Sequence, residues 1–102
     1  QITLNTHMKE NPSVTYFFEI TPQQFTDIIY DVRDINLSIE VIDESPQERE
    51  ADIVINGHLT HLYTRDRIFK RNIEPFVEEG NNGIRIFPRS KLEIVKVIVA
   101  LE

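Results

Sequence analysis

Apolar and polar positions alternate over the first twenty residues. Ile2, Leu4, Thr6 and Met8 stand against Thr3, Asn5 and His7; Val14, Tyr16, Phe18 and Ile20 stand against Thr15, Phe17 and Glu19. A period of two marks a half-buried strand, and the aromatic and β-branched content of the second segment strengthens that reading. Lys9-Glu10-Asn11-Pro12-Ser13 supplies the turn between them. The period changes at Thr21. Thr21-Pro22-Gln23-Gln24 combines a capping residue, a proline for the first helical turn and a glutamine that closes a capping box. Phe25, Ile28, Ile29, Val32 and Ile35 follow at helical spacing, which predicts a helix with these five on one face and Asp27, Asp31 and Asp34 on the other.

Leu37, Ile39 and Val41 predict a third strand, followed by a polar loop from Asp43 to Glu50. Residues 52–55 and 58–63 flank Asn56-Gly57, the pair that suits a two-residue hairpin turn with positive φ at both positions. Thr64 can cap a second helix, with Ile68, Phe69, Ile73, Phe76 and Val77 on one face. Pro75 inside it predicts a kink or a split near Asn72. Gly80-Asn81-Asn82-Gly83 would end that helix, Ile84–Phe87 would form a strand, and Pro88-Arg89-Ser90 a turn. Leu92 to Leu101 reads as a long last strand, apolar on both faces, and therefore central in a sheet or buried against a partner.

The resulting order, β-β-α-β-β-β-α-β-β, predicts an α+β domain. Its sheet would be mostly antiparallel with two helices on one face, in a ferredoxin-like (split βαβ) order with an extra strand at each end. At 102 residues the chain is expected to be a single domain over residues 1–102. The missing initiator methionine suggests a fragment of a longer chain or a processed product.

Composition narrows the chemistry. There is no cysteine, so disulfides, thiolate metal sites and cysteine nucleophiles are excluded. No window approaches the roughly 20 apolar residues of a membrane-spanning helix. The formal charge of −6 argues against general nucleic-acid binding. That charge is unevenly spread: residues 1–51 carry −7, residues 52–102 carry +1, and the stretch 65–91 carries +3.

Motifs for catalysis are missing. The serines stand in no G-x-S-x-G context, and there is no phosphate-binding glycine loop. His58 and His61 are three apart, so on a strand they point to opposite faces and cannot share a metal. No metal and no cofactor are expected. Asp27, Asp31 and Asp34 form an acidic stripe, the last two near a helix C-terminus where the dipole disfavours them by roughly 0.3–1 kcal/mol each. Arg65, Arg67, Lys70 and Arg71 crowd the start of the expected second helix, where cations are equally misplaced. Charges set against stability suggest contact surfaces.

The leading expectation is thus a non-catalytic protein–protein interaction domain, an adaptor, inhibitor or assembly module. Its contact surface would be Asp27, Asp31 and Asp34, facing a partner with a basic surface. A homodimer through the Leu92–Leu101 strand is a further expectation. One alternative is a small-ligand sensor that binds an anionic metabolite at Arg65, Arg67, Lys70 and Arg71, where helix amides and guanidinium groups would converge. Another is an enzyme without a recognisable motif.

Overall fold

The computed structural model describes residues 2–4, 8–9, 15–41, 49–89 and 93–102. The expected turn at 9–13, most of the polar loop at 43–50, and Val14, His7, Ser90 and Leu92 fall wholly or partly outside the described residues. In chain order the elements are β1 (Ile2–Leu4), β2 (Met8–Lys9), β3 (Thr15–Ile20), α1 (Pro22–Ile29), β4 (Ile35–Val41), β5 (Arg49–Ile55) and β6 (His58–Thr64). They continue with β7 (Ile68–Asn72), a 3-10 turn (Glu74–Phe76), β8 (Gly80–Pro88) and β9 (Glu93–Leu101).

These strands form two antiparallel sheets. One has the order β1-β9-β4-β7, with β2 also pairing with β9; the other has the order β3-β8-β5-β6. With β1 and β2 counted as one interrupted strand, the chain pairs first strand with last, second with seventh, third with sixth and fourth with fifth. That is the pairing scheme of a jelly roll. The α+β, ferredoxin-like expectation is overturned: among the described residues there is one α-helix and one short 3-10 turn, and there are two sheets, not one sheet with two helices on one face.

The second helix fails for a definite reason. Ile68, Phe69, Ile73, Phe76 and Val77 fit a helical period, but residues 68–72 pair antiparallel with β4, from Glu40↔Ile68 to Asn36↔Asn72. Pairing with a buried strand outweighs a weak local preference. Pro75 does not kink a helix; it sits in the first turn of the 3-10 segment. Thr64 does act as a local cap, its Oγ1 accepting from Asp66 N at 3.0 Å, yet only a turn follows.

The core lies between the sheets. β4 buries alternate residues Ile35, Leu37, Ile39 and Val41, and β5 buries Ala51, Ile53 and Ile55. Phe18, Leu62, Ile84 and Ile86 join the same buried cluster from the other strands of the second sheet. β9 contributes Ile94, Val97 and Val99. Its register shifts opposite Glu40/Val41, so its inward face passes from an even to odd positions. A bulge of this kind makes a strand look apolar on both faces in sequence. β9 has β4 on one side and β1 with β2 on the other. The expected dimer through this strand therefore loses its basis, since both of its edges are already paired. Among the described residues no helix is long and apolar enough to cross a membrane.

The Asn-Gly hairpin forms as expected, with φ of 50° at Asn56 and 83° at Gly57. Asp31 also adopts a positive φ, 59°. These two turns predict opposite outcomes. Gly57→Ala places its Cβ in open space but forces a side chain into the left-handed region, and should cost about 1 kcal/mol. Asp31→Gly removes that strain and should gain about 0.5–1 kcal/mol. Urea unfolding midpoints check both signs.

Candidate functional site

The site grows from the connection between the two sheets. β3 ends at Ile20 and β4 begins at Ile35, both buried. In between, the capping box forms in full: Gln24 N donates to Thr21 Oγ1 at 3.2 Å, and Thr21 N donates to Gln24 Oε1 at 2.9 Å. Ile28 points into the core and Phe25 packs against it. The helix then stops after two turns. Asp31 N donates to Ile28 O at 3.2 Å, and Val32 N to Asp27 O at 2.9 Å. With Asp31 left-handed, this is a Schellman termination using aspartate where glycine is usual.

Early termination redistributes the residues that the helical pattern had put together. Asp27 stays on the helix, half-buried, accepting from Gln23 Nε2 at 3.0 Å and lying 3.9 Å from Arg33 Nε. Asp31 sits in the turn and Asp34 in the segment leading into β4, so the three do not form a helix stripe. The dipole argument therefore does not apply to Asp34, which lies beyond the helix. Val32 and Ile35, expected on the buried helical face, part company: Ile35 is buried in β4, while Val32 is 69% exposed. Ile29 is 52% and Tyr30 72% exposed. Three large apolar side chains thus project from four consecutive positions, among three aspartates. Sequence reading missed them because a longer helix would have buried Ile29 and Val32.

The basic cluster is dispersed. Residues 65–67 form the turn from β6 to β7, and Lys70 and Arg71 occupy successive, opposite-facing positions of β7. Arg67 Nη2 lies 3.4 Å from Glu40, Lys70 Nζ 3.1 Å from Glu102, and Arg71 Nη1 donates to the carbonyl of His61 at 3.5 Å. The helix start that was to supply amide donors for an anion is not there.

His58 and His61 lie on β6 and separate as their spacing requires. The His58 ring lies tilted against that of Phe76, with centroids 6.0 Å apart. His61 Nδ1 lies 3.3 Å from Asp52 Oδ1, directly across the β5–β6 ladder, and Arg89 Nε donates to Asp52 Oδ2 at 2.7 Å. A histidine beside a carboxylate is part of a hydrolytic triad when a nucleophile adjoins it. Ser38, the one serine among the described residues, is in the other sheet, paired with Lys70 and Ile98. Among the described residues no three His, Asp or Glu side chains gather as a metal site.

The outer face of β3-β8-β5-β6 carries a second surface feature, an open groove of about 320 Å³ lined by Phe17, Val54, Arg85 and the backbone of Gly83. Phe17 is 70% exposed and lies across from Gly83. A Cβ built on Gly83 would meet the Phe17 ring at 3.5 Å, so the ring shields a glycine within a strand, a common stabilising arrangement.

The Arg89 hydrogen bond holds the Asp52 carboxyl below the usual carboxylate range; partial desolvation opposes it and the His61 contact adds to it. A depressed folded-state pKa gives a stability contribution that is present above the unfolded pKa and lost as pH falls through the folded one. Arg89→Ala should move the Asp52 midpoint upward in a side-chain carboxyl NMR titration; an unchanged midpoint would contradict the assignment.

No protein-family model, no curated protein sequence and no solved structure matches this chain, so the corner is interpreted from its own residues.

Proposed function

We propose that the chain is a non-catalytic protein–protein interaction domain that engages a basic partner through the corner between α1 and β4. The observation that carries this reading is the exposure of Ile29, Tyr30 and Val32 among Asp27, Asp31 and Asp34. Binding energy at protein interfaces concentrates in a few aromatic and apolar anchors surrounded by polar groups that exclude water. Tyr30 has the residue type and the position of such an anchor. The aspartates supply the charged rim, which steers a cationic partner and favours the correct orientation.

Rigidity supports the same reading. Val32 N and Arg33 N both donate to the carbonyl of Asp27, at 2.9 and 3.1 Å, which ties the protruding turn back to the helix. A loop already fixed in shape loses less entropy on binding.

Tagged chain used for affinity capture from cell extract, with quantitative mass spectrometry, gives the test. Tyr30→Ser should reduce recovery of a specific partner at least about tenfold, as expected for loss of an anchor. Asp31→Lys with Asp34→Lys should also reduce it, and the wild-type interaction should weaken with added salt. Phe17→Ser, on the outer face of the other sheet, should leave recovery unchanged. Equal recovery by wild type and Tyr30→Ser, with both proteins folded, would refute this surface.

A further inference from the structure

Asn-Gly occurs twice in the chain, at Asn56-Gly57 and Asn82-Gly83. The two asparagine side chains meet. Asn56 Nδ2 donates to Asn82 Oδ1 at 2.7 Å and to the carbonyl of Phe76 at 2.9 Å. Asn56 Oδ1 accepts from Gly83 N at 2.9 Å. Asn82 is buried, donates to the carbonyls of Glu78 and Gly80 at 2.9 and 3.0 Å, and accepts from Glu78 N at 2.8 Å.

We infer that Asn56 and Asn82 are a coupled pair of deamidation sites, held shut by the folded state and opened by unfolding. In the reaction at Asn56, the backbone nitrogen of Gly57 bonds to Asn56 Cγ, and the Cγ–Nδ2 bond breaks. Ammonia leaves with the proton from the attacking amide. Water then opens the succinimide ring to aspartate or isoaspartate, so one water is taken up and one ammonia released. Glycine after asparagine favours the attack because no Cβ obstructs it.

In the folded protein neither side chain is free to turn toward its own glycine. Asn56 would have to give up three hydrogen bonds. Asn82 uses all four of its hydrogen-bonding positions. The sites also block each other, because the nitrogen that would attack at Asn82, that of Gly83, donates to Asn56 Oδ1. A reaction barred in the closed, folded state proceeds through the opened population.

Conversion has a structural consequence. A carboxylate at position 56 faces two acceptors, the Phe76 carbonyl and Asn82 Oδ1, with no proton to donate. Unsatisfied, repelling acceptors in a part-buried network are costly. Isoaspartate adds a backbone atom to a two-residue turn. A chain converted while unfolded therefore returns to a less stable fold, and each unfolding event can leave a permanent mark.

The 102-residue chain incubated at mildly alkaline pH, with and without denaturing urea, and followed by peptide mapping, gives the test. Deamidation at Asn56 and Asn82 should be roughly a hundredfold slower or more without urea, reflecting the small open population. Urea-aged chain, after urea removal, should melt at lower temperature than fresh chain carried through the same urea step briefly. Asn56→Asp should reproduce that loss or fail to fold. Equal deamidation rates in the two conditions would overturn the inference, as would an aged, converted chain with an unchanged melting temperature.

Discussion

The step from Ile20 to Ile35 governs the shape of the candidate site. Both isoleucines are buried, at the end of a strand in one sheet and at the start of a strand in the other. Face-packed sheets stand about 10 Å apart, so the fourteen residues between them must leave one layer, cover the end of the core and enter the other. Two turns of helix place Phe25 and Ile28 over the core. Continuing the helix would carry the chain away from β4. The left-handed Asp31 reverses it, and that reversal leaves Ile29, Tyr30 and Val32 outside. Exposure of these side chains follows from the connection that the two-sheet fold requires.

The same end of the molecule has a second constraint. Asn56 and Asn82 tie the β5–β6 hairpin to the start of β8 and to the carbonyl of Phe76. Backbone groups of Glu78, just before β8, and of Gly80, its first residue, are satisfied by one buried amide. A network with its donors and acceptors nearly all used specifies a single arrangement better than apolar contact does. The glycines after these asparagines differ: Gly57 supplies a positive φ, and Gly83 lies in a strand beside the Thr15 methyl and the Phe17 ring.

Signals carried by a few adjacent residues were legible in the sequence. The Thr21/Gln24 capping box and the Asn56-Gly57 turn both form, since each needs only its own neighbours. The alternation in β3 and β4 was legible too, because the pleat imposes it locally. What depended on distant pairing was not. Ile68, Phe69, Ile73, Phe76 and Val77 match a helix by spacing, and only the antiparallel ladder with β4 makes 68–72 a strand. The bulge in β9 hid its inward face. The aspartate triplet stands out in the sequence as a helix stripe it does not form, and Tyr30 does not stand out, since nothing in its neighbours reveals where the helix stops.

Charge gains meaning from this fold. The basic stretch of the second half is largely answered by acids brought to it: Arg67 by Glu40, Lys70 by Glu102, Arg89 by Asp52. Each pair links residues far apart in the chain, and at the surface each adds little stability. Their larger effect is on the field outside the molecule, which they cancel locally. Asp31 and Asp34 have no such answer among the described residues; the nearby Arg33 leans toward Asp27. The net −6 is therefore felt unevenly, and its unanswered part includes the corner where apolar side chains project. On the proposed reading, a cationic partner would be drawn to that corner by the unpaired Asp31 and Asp34, an attraction that salt screens. It would then be held at short range by burying Ile29, Tyr30 and Val32. On the proposed reading, one short turn would combine attraction and anchoring, and the sharp end of α1 would put them in the same place.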